Sequence, residues 1–271
     1  MGERVRGRKQ VAVHWRGSTG MKIAIIGSGR MAQALTPLFV EAGHEVTLTN
    51  SRGAASLAEM VAAVGPNCHA GEVTDAVAWA DVVLLATPWG KTAEAVSVVD
   101  DWSGVVVIDG TNNRSAPGPD GLIDIGDNVS SVLVAGYVPG ARVVKAFNST
   151  PLCILAPALG ANAGANNAVY IAGDDPTAKS LVAEIIASIG GEAVDTGDLA
   201  TGGWLQGMSG PLAGVMEMLT PDDARSRVAA ASQPLDPDQG DGAPKAVTTH
   251  SNETRSKNMA IVALSKSVEL N

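Results

Sequence analysis

The stretch Lys22-Ile23-Ala24-Ile25-Ile26-Gly27-Ser28-Gly29-Arg30-Met31-Ala32 decides the fold. An apolar run of strand length passes directly into a glycine turn and then into Met31 to Ala42, which reads as a helix. The G-x-G-x-x-A spacing gives each small residue a mechanical task. Gly27 permits a tight turn, Gly29 lets the backbone approach a pyrophosphate, and Ala32 lets the helix pack closely on the sheet. Free N–H groups at the start of the helix point at the anion. In this strand-loop-helix setting the motif predicts dinucleotide binding, with Gly27, Ser28, Gly29, Arg30 and Met31 as cofactor-binding residues.

Outward from this stretch, short β-branched runs alternate with Ala-rich helical segments. Glu45 to Thr49 is followed by Ala54 to Val64, and Asp81 to Thr87 by Lys91 to Val99; Val105 to Asp109 and Arg142 to Ala146 add two further strands. Buried parallel strands read as continuous apolar runs of this kind. The class is α/β, a Rossmann-type doubly wound parallel sheet with a smaller C-terminal α/β lobe. That lobe spans 147–220, with a strand at Val169 to Ala172, a helix at Pro176 to Ile189, a strand at Glu192 to Asp195 and a last helix within Gly202 to Leu219. The dinucleotide-binding domain spans 21–146. The basic, aperiodic residues 1–20 and the Pro-, Asp- and Ser-rich residues 221–271 are expected to be disordered.

Composition narrows the function. With 19 basic against 28 acidic residues the net charge is -9, which argues against a nucleic-acid partner. Aromatics make up 3% of the chain, too few for a base-stacking surface. The charge-free stretches Pro151 to Gly173 and Leu199 to Met216 are broken by Gly, Pro, Asn or Ser and do not resemble membrane spans. Cys68 and Cys153 have neither metal-ligand nor disulfide-framework spacing, so the chain is expected to be cytoplasmic and without a metal.

The residue that would hold an adenosine ribose falls at the end of the second apolar run. There the chain has Asn50-Ser51-Arg52-Gly53, with no carboxylate to repel a 2′-phosphate, a hydroxyl on Ser51 and a guanidinium on Arg52. The alternative is an exposed polar turn; the pattern favours NADP(H). Ligands of open α/β sheets bind beyond the carboxyl ends of the strands. Three loops there carry neutral hydrogen-bonding groups: Thr87-Pro88-Trp89-Gly90, Gly110-Thr111-Asn112-Asn113-Arg114 and Phe147-Asn148-Ser149-Thr150-Pro151. None of His14, His44, His69 and His250 falls in a triad or metal-like arrangement, which disfavours hydrolysis and metal catalysis. Asp109, Tyr137 and Lys145 are the groups that could handle protons, although Asp109 reads better as a loop brace and Lys145 as a support of the sheet rim.

Taken in order, Ile26-Gly27-Ser28-Gly29, Thr49 to Gly53, Ala86 to Trp89, Ile108-Asp109 with Thr111 to Asn113, Val143 to Asn148, Gly173 to Asp175 and Asp195 to Gly197 resemble the NADPH-dependent oxidoreductases of the deazaflavin coenzyme F420 and their bacterial relatives. The resemblance covers about 21–219. It implies a homodimer and direct hydride transfer between NADP(H) and coenzyme F420 in a cleft. It implies that Asn50, Ser51 and Arg52 serve the adenosine end of the cofactor, and that Thr87, Pro88, Trp89, Ala146 and Asn148 lie along its reactive half. Asn112, Asn113, Asn148 and Thr150 would face the substrate, with Asn148 and Thr150 as positioning candidates. Arg30-Met31-Ala32 departs from the family's usual Asn or Asp, Ile or Leu, and Gly. Two other functions fit the same scaffold: an NADPH-dependent reductase of a small imine or carbonyl, which needs a proton donor, and a non-catalytic NADP(H) sensor.

Overall fold

The computed structural model of the protein describes residues 20–115, 121–161, 163–214 and 216–233. Eight strands form one sheet in the order β3-β2-β1-β4-β5-β6-β7-β8. They are β1 (Lys22–Ile26), β2 (Glu45–Thr49), β3 (Cys68–Ala70), β4 (Val82–Leu85), β5 (Val106–Asp109), β6 (Arg142–Ala146), β7 (Ala168–Gly173) and β8 (Glu192–Asp195). The first six are parallel to one another, so the loops that leave β1, β2, β4, β5 and β6 share one carboxyl edge. The strand order reverses between β1 and β4, which opens a crevice at that edge.

Helices cover both faces, and the alternation of each strand divides between them. Ile23, Ile25, Val82, Leu84, Ile108 and Val144 pack under α1 (Arg30–Glu41) and α7 (Pro176–Ser188). Ala24, Ile26, Val83, Leu85, Val107 and Val143 face the other layer, which includes α3 (Val73–Trp79), α4 (Trp89–Val96) and α5 (Ser130–Tyr137). Burial on both faces explains why the strands read as unbroken apolar runs. The helix expected over Ala54 to Val64 is split into a 3-10 turn at Ala54–Leu57 and α2 (Ala58–Val64).

The C-terminal lobe does not build a sheet of its own. β7 pairs antiparallel with β6, and β8 parallel with β7, so the lobe extends the same sheet beyond 146. The short α6 (Leu152–Leu155) leads into it. The helix expected within Gly202 to Leu219 is one turn, α8 (Gly202–Leu205). Its glycines serve close packing instead: a Cβ on Gly203 would lie 2.2 Å from Ser131 Oγ, and one on Gly210 would lie 2.1 Å from the Trp204 carbonyl oxygen.

The expectation of disorder from 221 onward fails at its start, where α9 (Pro221–Ala231) forms. Thr220 caps it, accepting from the Asp223 N–H at 3.1 Å, with Pro221 in the first turn and Asp222 and Asp223 at the positive end of the dipole. Ala224 is fully buried and Val228 packs beside it against the cluster of Tyr170, Val194 and Leu205. The expectations for 1–19 and 234–271 lie outside the described residues.

Candidate functional site

The glycine loop sits at the carboxyl edge between β2 and β4. Gly27 adopts φ 110°, and a Cβ there would lie 2.6 Å from the Ala86 carbonyl oxygen, so glycine is required to bring the loop against the segment after β4. Gly29 differs: a Cβ on it would meet nothing within 4 Å, which leaves open space beside the start of α1. The helix has no side-chain cap and no acidic residue in its first turn, and Arg30 is exposed there. Uncapped N–H groups, open space and a cation together form a cradle that an anionic group fits. Met31 reaches across to the segment after β5, where a Cβ on Gly110 would lie 2.4 Å from its sulfur.

Beside the cradle, Asn50 shapes its own loop. Its Oδ1 accepts from the Arg52 N–H at 2.9 Å, and its Nδ2 donates to Ser28 Oγ at 3.2 Å and to Ser56 Oγ at 3.0 Å. Asn50 is thereby a scaffold residue, while Ser51 and Arg52 stand exposed on the loop it holds. Gly53, at φ 80°, turns the chain into the following 3-10 segment. After β4, Thr87 Oγ1 and Thr92 Oγ1 are 2.9 Å apart, and Pro88 precedes Trp89, the half-buried first residue of α4.

Across the crevice the polar groups are bonded to one another. Asp109 and Lys145 form a fully buried ion pair at 2.9 Å. Asp109 Oδ1 accepts from the Thr111 N–H at 2.9 Å and from its hydroxyl at 2.6 Å, and Lys145 Nζ donates to the Thr111 carbonyl at 3.0 Å. Asn112 Nδ2 donates to the Asn148 carbonyl at 2.9 Å, and Asn148 Nδ2 donates to Asn112 Oδ1 at 3.2 Å and to the Gln206 carbonyl at 2.7 Å. Asn113 donates to the Ile123 carbonyl at 2.8 Å. Both N–H bonds of Asn148 and the amide of Asn113 are thus committed to the protein, while Asn112 and Thr150 are only half-buried. Ala146 is buried at the end of β6. Phe147 follows it with φ 64°, a left-handed conformation that costs about 1–3 kcal/mol in a non-glycine residue and turns the chain toward Asn112.

Gln206 is the residue that sequence reasoning missed. It is fully buried, donates from Nε2 to Thr196 Oγ1 at 3.2 Å and offers its main-chain carbonyl to Asn148. The available signal was that it is the one long polar side chain between Leu199 and Met216. Of the three proton-handling candidates, Asp109 and Lys145 meet at the carboxyl edge but are sealed in their ion pair, and Tyr137 lies elsewhere. Tyr137 ends α5 beside the amino end of β6, where burial raises its phenol above the ordinary value. His44 lies before β2, also away from the edge. Among the described residues no group of three or more His, Cys, Asp or Glu could hold a metal, and no helix is long and apolar enough to cross a membrane.

Residues 22–113 match the family described as NADP oxidoreductase, coenzyme F420-dependent. A hypothetical protein from Sinorhizobium meliloti of known crystal structure is 35% identical, with 73% of this chain and 94% of that one covered and a TM-score of 0.63. A protein from Arthrobacter sp. FB24 assigned as an F420-dependent NADP-reductase shares the fold at 24% identity, with 67% and 87% of the two chains covered and a TM-score of 0.55.

Proposed function

We propose that this chain, which belongs to the family of coenzyme F420-dependent NADP oxidoreductases, transfers a hydride between NADP(H) and the deazaflavin coenzyme F420. One observation carries the choice of acceptor. The groups named for proton handling do not reach a bound substrate: Asp109 and Lys145 are sealed in a buried ion pair, and Tyr137 lies at the opposite end of the sheet. Transfer between two ring cofactors asks only for proximity and orientation of the protein, because solvent supplies the single proton.

The residues present fit the two groups. Gly27, Ser28, Gly29, Arg30 and Met31 would hold the pyrophosphate, since Gly29 opens onto free space beside uncapped N–H groups. Ser51 and Arg52 would hold the 2′-phosphate on the loop that Asn50 fixes. Thr87, Pro88, Trp89 and Ala146 would border the nicotinamide half. Asn112 and Thr150 would orient the second ring, with Asn113 and Asn148 holding the loops that carry them. When bound, NADPH supplies a hydride with its electron pair to the deazaflavin, so that NADPH, F420 and a proton become NADP+ and reduced F420.

The test mixes purified protein with NADPH and oxidised F420 and follows the deazaflavin absorbance, with NADH as control. Bleaching specific to NADPH is the expected result. Absent bleaching, with NADPH binding confirmed by its fluorescence, would overturn the F420 assignment and leave the small-molecule reductase or the sensor.

A further inference from the structure

Lys145 and Asp109 are an unexpected pair to find with 0% of either side chain exposed. Desolvating two charges offsets most or all of their attraction, and apolar residues of similar volume usually stabilise a core as well. The pair is therefore poorly explained by stability alone. Its place is more informative: the two residues are register partners at the carboxyl ends of β5 and β6, on the edge that also carries the glycine loop.

Between them they take up every polar atom of Thr111. Asp109 holds its N–H and its hydroxyl, and Lys145 holds its carbonyl. Hydrogen bonds to charged groups are about twice as strong as neutral ones, so Thr111 is fixed at three points. The next residue, Asn112, exchanges amide bonds with Asn148, which in turn is tied to the Gln206 carbonyl. The left-handed Phe147, wedged edge-to-face against Phe39 with ring centroids 6.4 Å apart, aims Asn148 into this exchange. Two segments far apart in sequence meet on one buried charge pair, and a third, at Gln206, is tied to them through Asn148.

We infer that Asp109 and Lys145 are positioning residues: a clamp at the carboxyl ends of β5 and β6 that sets where Asn112, and Thr150 two residues beyond its partner Asn148, stand during hydride transfer. The inference rests on the function proposed above and adds residues that touch neither cofactor. The clamp acts on the half of the crevice that holds the reacting rings and leaves the adenosine end alone.

The test is the double substitution D109N/K145M. It removes both charges together, keeps a carbonyl oxygen for Thr111 and preserves volume, so no unpaired charge is left in the core. A folded double variant should bind 2′,5′-ADP within about twofold of the parent, because Ser51 and Arg52 are untouched, while kcat for NADPH and F420 falls about 10²-fold, the scale of an ångström misplacement. The KM for NADPH should move far less than kcat. Amide hydrogen exchange should quicken at 110–114 and 148–149 and stay unchanged at 27–33. Thr111→Val is the milder companion, since it leaves the ion pair in place and deletes only the 2.6 Å bond; it should lower kcat in the same sense and decides the matter if the double variant does not fold. Parental kcat in a folded variant overturns the clamp. If the parent itself fails to bleach F420, the acceptor assignment falls, and the exchange pattern still decides the clamp: unchanged protection at 110–114 overturns it.

Discussion

The two sides of the crevice are built differently. On the β1–β2 side the candidate binding atoms are left open: Gly29, Arg30, Ser51 and Arg52 are all exposed, and Asn50 shapes the loop through bonds to Arg52, Ser56 and Ser28. On the β5–β6 side most of the polar groups are buried and bonded to one another, some locally, as in Asp109 to Thr111, and others across 34 to 58 residues, as in Lys145 to Thr111 and Asn148 to Gln206. The first side is suited to receive an anion with its own backbone and free cations. The second is suited to hold a shape. A change at an exposed atom of the first side should therefore alter binding without unfolding, and a change on the second should alter stability or rate.

The largest effect expected is on the buried side. Lys145→Met alone leaves Asp109 charged and unpaired in the core and should lower the unfolding free energy by about 3–5 kcal/mol in urea titrations. A loss below 1 kcal/mol would erase the contrast between the sides. Two glycines then divide the open side. Gly27→Ala must strain a φ of 110° and meet the Ala86 carbonyl, so it should destabilise the fold by about 1–3 kcal/mol or more. Gly29→Ala meets no protein atom and should leave the thermal midpoint in place while weakening NADPH binding; calorimetry and nucleotide titration separate the two. Arg52→Ala should lose about 1.5–3 kcal/mol of affinity for NADPH with little change for NADH, and equal losses would remove Arg52 as the phosphate selector.

The smallest effect belongs to neither side. His44 is buried before β2; its Nδ1 accepts from the Met21 N–H at 3.0 Å, and its Nε2 lies 2.8 Å from Ser188 Oγ, which itself donates to the Ile185 carbonyl. Ser188 must then accept, so the ring is neutral with its proton on Nε2. Burial lowers its pKa below the ordinary 6.5. The unfolded chain therefore binds a second ring proton more readily, and the contribution is fully present above 6.5 and lost as pH falls from there through the lowered folded value. Unfolding midpoints measured across that window should decline, and His44→Gln should flatten the decline; an unchanged slope would dissociate His44 from it.

Legibility in the sequence followed the same division. The strands around the glycine motif were readable because each is an apolar run buried on both faces, and the motif because its spacing is local. β3 escaped because it is three residues, Cys68-His69-Ala70, with no β-branched side chain, paired to one neighbour. α5 has a weakly amphipathic sequence, Ser130 to Tyr137, behind a polar loop. α9 carried a full set of start signals, Thr220-Pro221-Asp222-Asp223, that a composition reading absorbed into a polar tail. The glycines at 203, 207 and 210, within the stretch read as a last helix, are points of close approach.

The sequence by itself determined the α/β class, the strand-turn-helix at Lys22 to Ala42 and a loop at Asn50 to Gly53 that carries no carboxylate, because each depends on residues that are neighbours in the chain. Only the tertiary structure decided that the C-terminal strands continue the same sheet, that Asp109 and Lys145 seal each other away from chemistry, and that Asn148 answers to Asn112 and Gln206. Those outcomes depend on which distant polar groups meet once water is excluded. A buried donor must find its acceptor wherever the fold brings one, and no local spacing encodes that choice.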